Sequence, residues 1–309
     1  MKEIEFINTI KTHIGSEFIG DDCAHLKDLN IVISQDNLVE NIHFSRNWCT
    51  PYQLGYKAVT VNISDILASG AEPKYITIGL SLPKDINKSF IDEFYKGAKT
   101  GLCGAKIVGG DITGSKDGVF ISIAAIGSTI GRNISSRTKA KPGYSVVTQG
   151  TYGASALGLQ ALKNNINNEF IKYHLEPKIN PKFSACIAQN IKEDYAMMDT
   201  SDGLLDCLYK IADASNVKIT VDYKLIPHPI SANREQVLCG GEDYNPVAVI
   251  PDKYISMIPD AVVIGKAEAF DGIKVDISGE KYTSYNQIKS YNHFNNWYKN
   301  SSVFTWDEI

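Results

Sequence analysis

No two cysteines in this chain form a CxxC pair, and none of the six has a histidine at zinc-finger spacing. That absence excludes a zinc-finger framework. Cys23, Cys49, Cys103, Cys186, Cys207 and Cys239 stand singly, as small buried hydrophobes do in a reducing compartment, so a cytoplasmic protein is expected. Lysine and arginine form no block and the formal net charge is -4; the basic patch of a nucleic-acid binder is missing. No apolar run reaches the ~18 residues of a membrane span. The N-terminal MKEIEFINTIKTHIG carries acidic residues and no apolar core, so it reads as a short amphipathic helix and not as a secretory leader. A P-loop is absent too. In GGDITGSK, Ser115 precedes Lys116, whereas the motif needs Lys before Ser or Thr. There is no protein-kinase glycine-rich loop either, so nucleotide chemistry here requires another architecture.

What is present fits an α/β or α+β chain in two halves. A length of 309 residues exceeds what one core usually holds. Hydrophobic content of 43% and charged content of 21% are those of ordinary globular proteins. Strand patterns at 31–38, 75–82, 106–108 and 120–128 alternate with helix patterns at 51–69 and 87–103. The polar stretch 131–143 ends in Pro142-Gly143, a strong turn signal, and divides the chain into domains 1–138 and 139–309. Strands are then expected at 144–148, 217–222, 246–250 and 261–265, with helices near 153–163 and 181–192 and another after Asp202.

Five acidic clusters lie beside small residues: Gly20-Asp21-Asp22, Ser34-Gln35-Asp36, Asn62-Ile63-Ser64-Asp65, Gly109-Gly110-Asp111 and Asp199-Thr200-Ser201-Asp202. Carboxylates in apolar surroundings are costly unless a cation meets them, and hard divalent ions take oxygen ligands. Asn62, Asp65 and Ser69 share one face of an otherwise apolar helix. The competing reading is a solvated stripe. Ser34 and Asp36 share one strand face, with Ile31 and Ile33 expected in the core on the other; a polar strand face in water explains that pair equally. Asp21 and Asp22 follow a turn glycine, where Asp is common. Ser201 or Asp202 suits a helix N-cap, itself compatible with phosphate binding. Gly109-Gly110 reads as a turn able to aim N–H groups at a phosphate. Gly240-Gly241-Glu242-Asp243-Tyr244 is a second glycine–acid turn, and His43 alone is more often structural than a ligand.

In order, IGDDCAHL (19–26), ISQDNLVENIHF (33–44), LGYKAVTVNISDILASGAEP (54–73), IVGGDIT (107–113), SRTKAKPG (136–143), MDTSDGLLD (198–206) and CGGEDY (239–244) resemble the thiamine-monophosphate kinase family. That family lies in the superfamily of aminoimidazole ribonucleotide synthetase and selenophosphate synthetase. The resemblance implies two α/β domains, with the N-terminal ones pairing into a homodimer around a β-barrel. It implies transfer from ATP to thiamine monophosphate with several Mg²⁺ ions. Carried over by position, the metal ligands are Asp22, Ser34, Gln35, Asp36, Asp65, Asp111, Asp199 and Asp202. ATP contacts are Tyr95, Gly110, Asp111, Arg137 and Ser201; thiamine monophosphate contacts are His43, Glu242 and Tyr291. No general base is implied.

The chain departs from the family at Gln35, Asn37 and Asn41, where Thr, Thr and Gly are usual, and at Asn245-Pro246, where Glu-Leu is usual. These changes bear on substrate choice more than on nucleotide binding. Two rival readings stay open: another ATP-using enzyme of the superfamily with a different acceptor, and a non-catalytic nucleotide-binding relative.

Overall fold

Thr50, Pro51 and Gln53 set the start of the helix that organises the first half. The Thr50 side chain accepts from the Gln53 N–H, and Gln53 answers to the Thr50 N–H; Pro51 stands where its missing donor costs nothing. The computed structural model describes residues 3–15 and 18–289. In chain order the first half is α1 (Glu3–Ile14), β1 (Ala24–Leu26), β2 (Ile31–Val39), α2 (Pro51–Ala68), β3 (Glu72–Leu82), α3 (Lys88–Thr100), β4 (Lys106–Gly114) and β5 (Phe120–Ser128). The second is β6 (Ser145–Thr148), α4 (Ala154–Lys163), α5 (Ile171–Leu175), α6 (Pro181–Asn190), β7 (Ala196–Met198), α7 (Leu204–Ser215), β8 (Val217–Val221), α8 (Arg234–Cys239), β9 (Val247–Ile250), β10 (Val262–Ala269), β11 (Val275–Ile277) and β12 (Glu280–Tyr282).

The first five strands form a sheet of order β1-β2-β5-β3-β4; the other seven form β12-β11-β8-β10-β6-β9-β7. One face of the first sheet packs on α2 and α3 through Val32, Ile76, Ile78, Ile121 and Ile123. Its other face is only half covered, and the sheet stays open at both edges among the described residues. The second sheet is covered on both faces. Val146 belongs to the core under α7, and its neighbour Val147 to the core under α6, as strand alternation requires.

Three expectations are corrected. Ile31 and Ile33 are not the core face of β2: Val32, Ser34 and Leu38 are buried and both isoleucines are half-exposed. The polar residues therefore face α2. Gly109 and Gly110 do not make a turn, since β4 runs through them to Gly114. Gly110 serves close approach, because a Cβ there would lie 1.9 Å from the Ile78 carbonyl oxygen of β3. Finally, neither Ser201 nor Asp202 caps α7; the cap is Gly203, at φ 106° with no side-chain bond, a conformation that excludes most side chains.

The halves are stitched beside α2. Ser135 Oγ donates to the Ala68 carbonyl at 2.8 Å, Tyr56 Oη to that of Pro177 at 3.1 Å, and Gln53 Nε2 to Glu176 Oε1 at 2.9 Å.

Candidate active site

Turning Ser34 and Asp36 toward α2 brings them onto the acidic stripe of that helix. Ser34 Oγ donates to Asp65 Oδ2 at 2.5 Å, and the Asp36 N–H donates to Asn62 Oδ1 at 3.0 Å. One residue earlier, Ser64 Oγ donates to Asp199 Oδ2 at 2.6 Å, joining α2 to the loop before α7. Asp199 is buried, while Asp36 and Asp65 keep part of their surface open. The group resists ionisation. Burial, then Asp202 and Asp22, push Asp36 up to about 6. Burial, then Asp22, push Asp199 up to about 7. Burial, Asp36 and Asp199 raise Asp65 well above the carboxylate range. Like charges in a shared low-dielectric space do this, and no cationic side chain is among the principal influences on these three.

Cations stand at the rim. Arg137 Nη2 donates to Asp22 Oδ1 at 2.5 Å. Asp21 holds that loop in place, accepting from Ser136 Oγ and the Arg137 N–H, both at 2.8 Å. The buried Arg137 Nε has no hydrogen-bond partner among the described residues, so a guanidinium already fixed by Asp22 retains a donor for an anion. Across the site Lys210 Nζ lies 3.0 Å from Asp202 Oδ2 and 2.6 Å from Asp206 Oδ2. Tyr285 Oη donates to Asp206 Oδ1 at 2.6 Å.

Glu242 and His43 face a separate part of the seam. The Glu242 N–H donates to the Ser201 carbonyl at 2.7 Å, tying this loop to the one bearing Asp199 and Asp202. Asp243 accepts from the N–H groups of Gly153 at 2.7 Å and Ser155 at 3.0 Å, at the start of α4. Asn245, which replaces the family's Glu, is buried and holds the same loop; its Nδ2 donates to the Thr151 carbonyl at 2.9 Å and its N–H to Thr200 Oγ1 at 3.1 Å. Pro246 sits just before β9 and needs no ladder donor there. His43 Nδ1 accepts from the Val39 N–H at 3.0 Å.

Asp22, Ser34, Asp36, Asp65, Asp199, Asp202 and Arg137 are thus brought together. Gln35 contributes no side chain, because strand alternation turns it to the open face, where Nε2 donates to Ser122 Oγ at 3.2 Å. Asp111 lies elsewhere. Asp36 shares a row across the sheet with Ile123, Ile78 and Gly110, while Asp111 shares the next row with Gly79, Ser122 and Asn37. It therefore points to the opposite face, three strand spacings or ~14 Å away. Tyr95 is on α3, edge-on to Phe94 and packed against the first core. Ser201 is exposed, and Tyr291 lies outside the described residues. Asn62, Ser64 and Asp21 stood in the acidic clusters of the sequence reading without being assigned a role, and Lys210 escaped it altogether.

The donor set of carboxylates and a hydroxyl suits hard cations such as Mg²⁺. As they stand, no three His, Cys, Asp or Glu side chains among the described residues gather closely enough to cage an ion. Among the described residues no helix is long and apolar enough to cross a membrane.

Comparison with known proteins identifies the family. Residues 20–129 match the family model for AIR synthase related protein, N-terminal domain. The chain is 32% identical over 316 residues to the thiamine-monophosphate kinase of Aquifex aeolicus, covering 94% of this chain and 98% of that one. With the Bacillus subtilis enzyme of the same name the figures are 29% over 305 residues, 89% and 93%. The solved structure "AaThiL complexed with AMPPCP and TMP" superposes with a TM-score of 0.85 at 31% identity, covering 95% and 97% of the two chains. Hydrogenase maturation protein HypE in complex with ATP, 18% identical with a TM-score of 0.64 over 84% of each chain, shares the fold alone.

Proposed function

The chain belongs to the thiamine-monophosphate kinase family, and from that premise we propose that it transfers the γ-phosphoryl group of ATP directly onto the phosphate of thiamine monophosphate. The observation that carries this reading is the union of Asp36, Asp65 and Asp199 from three separate segments, each resisting ionisation, beside an arginine with an unused donor. Asp22, Ser34, Asp36, Asp65, Asp199 and Asp202 are the groups to hold Mg²⁺, which when bound supplies positive charge to the phosphates.

The chain's own part is positioning and charge. Arg137, forked and fixed on Asp22, binds a phosphate of ATP with the N–H it has left. Ser201 lies at the same loop, and its backbone carbonyl fixes the loop bearing Glu242. His43 and Glu242 orient the acceptor, with Tyr291 as a further contact. An acceptor phosphate oxygen attacks the γ-phosphorus in line, the bond to the β,γ-bridging oxygen breaks, and its electron pair leaves with ADP. The acceptor's second pKa is about 6, so at neutral pH that oxygen is already ionised and no side chain need take a proton.

We place the reaction in a cytoplasmic homodimer whose domains are 1–138 and 139–309. The long edge of β4, with Val108 and Ile112 exposed, suits pairing with a second copy. Gly110 and Asp111 belong to that edge strand, which favours a role in the partner's site over one in their own. Incubation with ATP, Mg²⁺ and thiamine monophosphate tests the assignment. Thiamine diphosphate and ADP in equal amounts support it; ATP consumed without thiamine diphosphate, or not consumed at all, refutes it.

A further inference from the structure

Lys57 lies near the middle of α2 with its side chain 4% exposed, an unusual place for an ammonium group. Its Nζ is 3.0 Å from Glu242 Oε1. The other carboxylate oxygen, Oε2, is 3.2 Å from His174 Nδ1 on α5, and Ser155 Oγ on α4 is 3.1 Å from that same nitrogen. His174 is held neutral, burial and then Lys57 pushing it down to about 3. Lys57 is therefore the cation of this cluster, and it reaches Glu242 from the opposite half of the molecule.

Both oxygens of Glu242 are thereby fixed, and so is the plane of the carboxylate. Its backbone is constrained as well, with φ 53° at Glu242 and φ 51° at Tyr244. Yet the Glu242 side chain remains 27% exposed, so a ligand can still reach it. Beside it a recess at the seam is lined by Phe44, Trp48, Gln53, Lys57 and His174. A pair built only for stability has no need of an exposed face or an adjoining recess.

Resting on the acceptor role given to Glu242 above, we infer that Lys57 is the positioning residue of the acceptor site. It keeps Glu242 an acceptor-only carboxylate next to the recess that its partners Lys57 and His174 line, which selects an acceptor that presents N–H donors or a cationic ring. The groups facing Glu242 are Lys57 from α2, His174 from α5, His43 from the loop after β2, and its own neighbours Asp243 and Tyr244. Burial works against the Glu242 charge, and Lys57 is the largest influence that offsets it.

The test uses the full chain with Lys57→Met and the double variant Lys57→Met/Glu242→Gln. KM for thiamine monophosphate and for ATP are measured between pH 6 and 8.5, together with melting temperature. In Lys57→Met the acceptor KM rises about tenfold or more, while the ATP KM moves by less than about twofold. That rise grows as pH falls, because an unpaired Glu242 takes up a proton; Lys57→Met also frees His174 from the Lys57 charge that holds it down, and the double variant, which shares that change but lacks the Glu242 carboxyl, separates the two. The double variant regains the lost melting temperature but not the acceptor KM. Equal shifts in both KM values, or an acceptor KM restored along with stability in the double variant, overturn the inference. If Lys57→Met does not fold, the double variant decides: a wild-type acceptor KM there overturns it. Wild-type protein that forms no thiamine diphosphate removes the acceptor reading itself, and Lys57's role with it.

Discussion

The Ser64 hydroxyl donates to Asp199 at 2.6 Å, and both groups are buried. One belongs to the helix on the first sheet and the other to a loop of the second, so this bond closes the acidic site across the seam. It lowers the Asp199 pKa against the burial and the Asp22 charge that raise it. Ser64→Ala should lose about 1–2 kcal/mol of unfolding free energy. Urea unfolding of the metal-free protein measures this, and an unchanged midpoint contradicts it.

Stability without metal should fall as pH rises. Asp36 and Asp199 have folded-state values near 6 and 7, above the ordinary value of about 3.9. The folded chain therefore holds protons that the unfolded chain has released. That contribution is fully present below about pH 4 and is lost as pH climbs through 6 and 7. Melting temperature in EDTA should drop over this range. Mg²⁺ should raise it far more at pH 7.5 than at pH 5, whereas an equal Mg²⁺ effect at both values contradicts the assignment.

Arg137→Lys keeps the charge near Asp22 but loses the fork. A lysine engaged by Asp22 has no planar second face for a phosphate. KM for ATP should rise about tenfold or more, with the acceptor KM changed by less than about threefold. Matching losses on both substrates would move Arg137 out of the nucleotide site.

Asp111 in trans makes a sharp prediction. Asp36→Asn and Asp111→Asn homodimers should each be nearly inactive. A heterodimer of the two variants contains one site with both carboxylates, one from each chain, and should recover up to about half of the wild-type rate per dimer. Mixing under conditions that exchange subunits, followed by the product assay, reads this directly. A mixture no more active than its parents places Asp111 in its own chain's site or in none.

Helix and strand positions were legible because periodicity and punctuation agree. Thr50 and Pro51 mark the start of α2, Pro83 stands just after β3, and Pro142-Gly143 lies between the two sheets. The face of β2 was not legible. Alternation says that Ser34 and Asp36 share a side with Val32 and Leu38, yet it cannot say which side a helix covers, and hydrophobicity favoured the wrong one. Gly110 misled for a related reason, since a glycine needed for close strand approach is indistinguishable in sequence from a turn glycine. The acidic site was legible as a set of short motifs. Its supports were not: Lys57, Lys210, His174 and Ser64 contribute single polar atoms from segments whose pattern is that of ordinary helices. The separation of Asp111 from Asp36 depends on sheet order, which motif order along the chain does not encode.

Transfer of label from [γ-³²P]ATP tests the central claim most directly, run on wild-type protein and on Asp65→Asn with thiamine monophosphate and Mg²⁺. The wild type should place the label in the terminal phosphate of thiamine diphosphate. Asp65→Asn should remain folded by circular dichroism and transfer almost none, because the site loses one of the charges that hold metal against the phosphates. Asp65→Asn transferring label at near wild-type rate at saturating Mg²⁺, or wild type releasing it only as inorganic phosphate, contradicts the account.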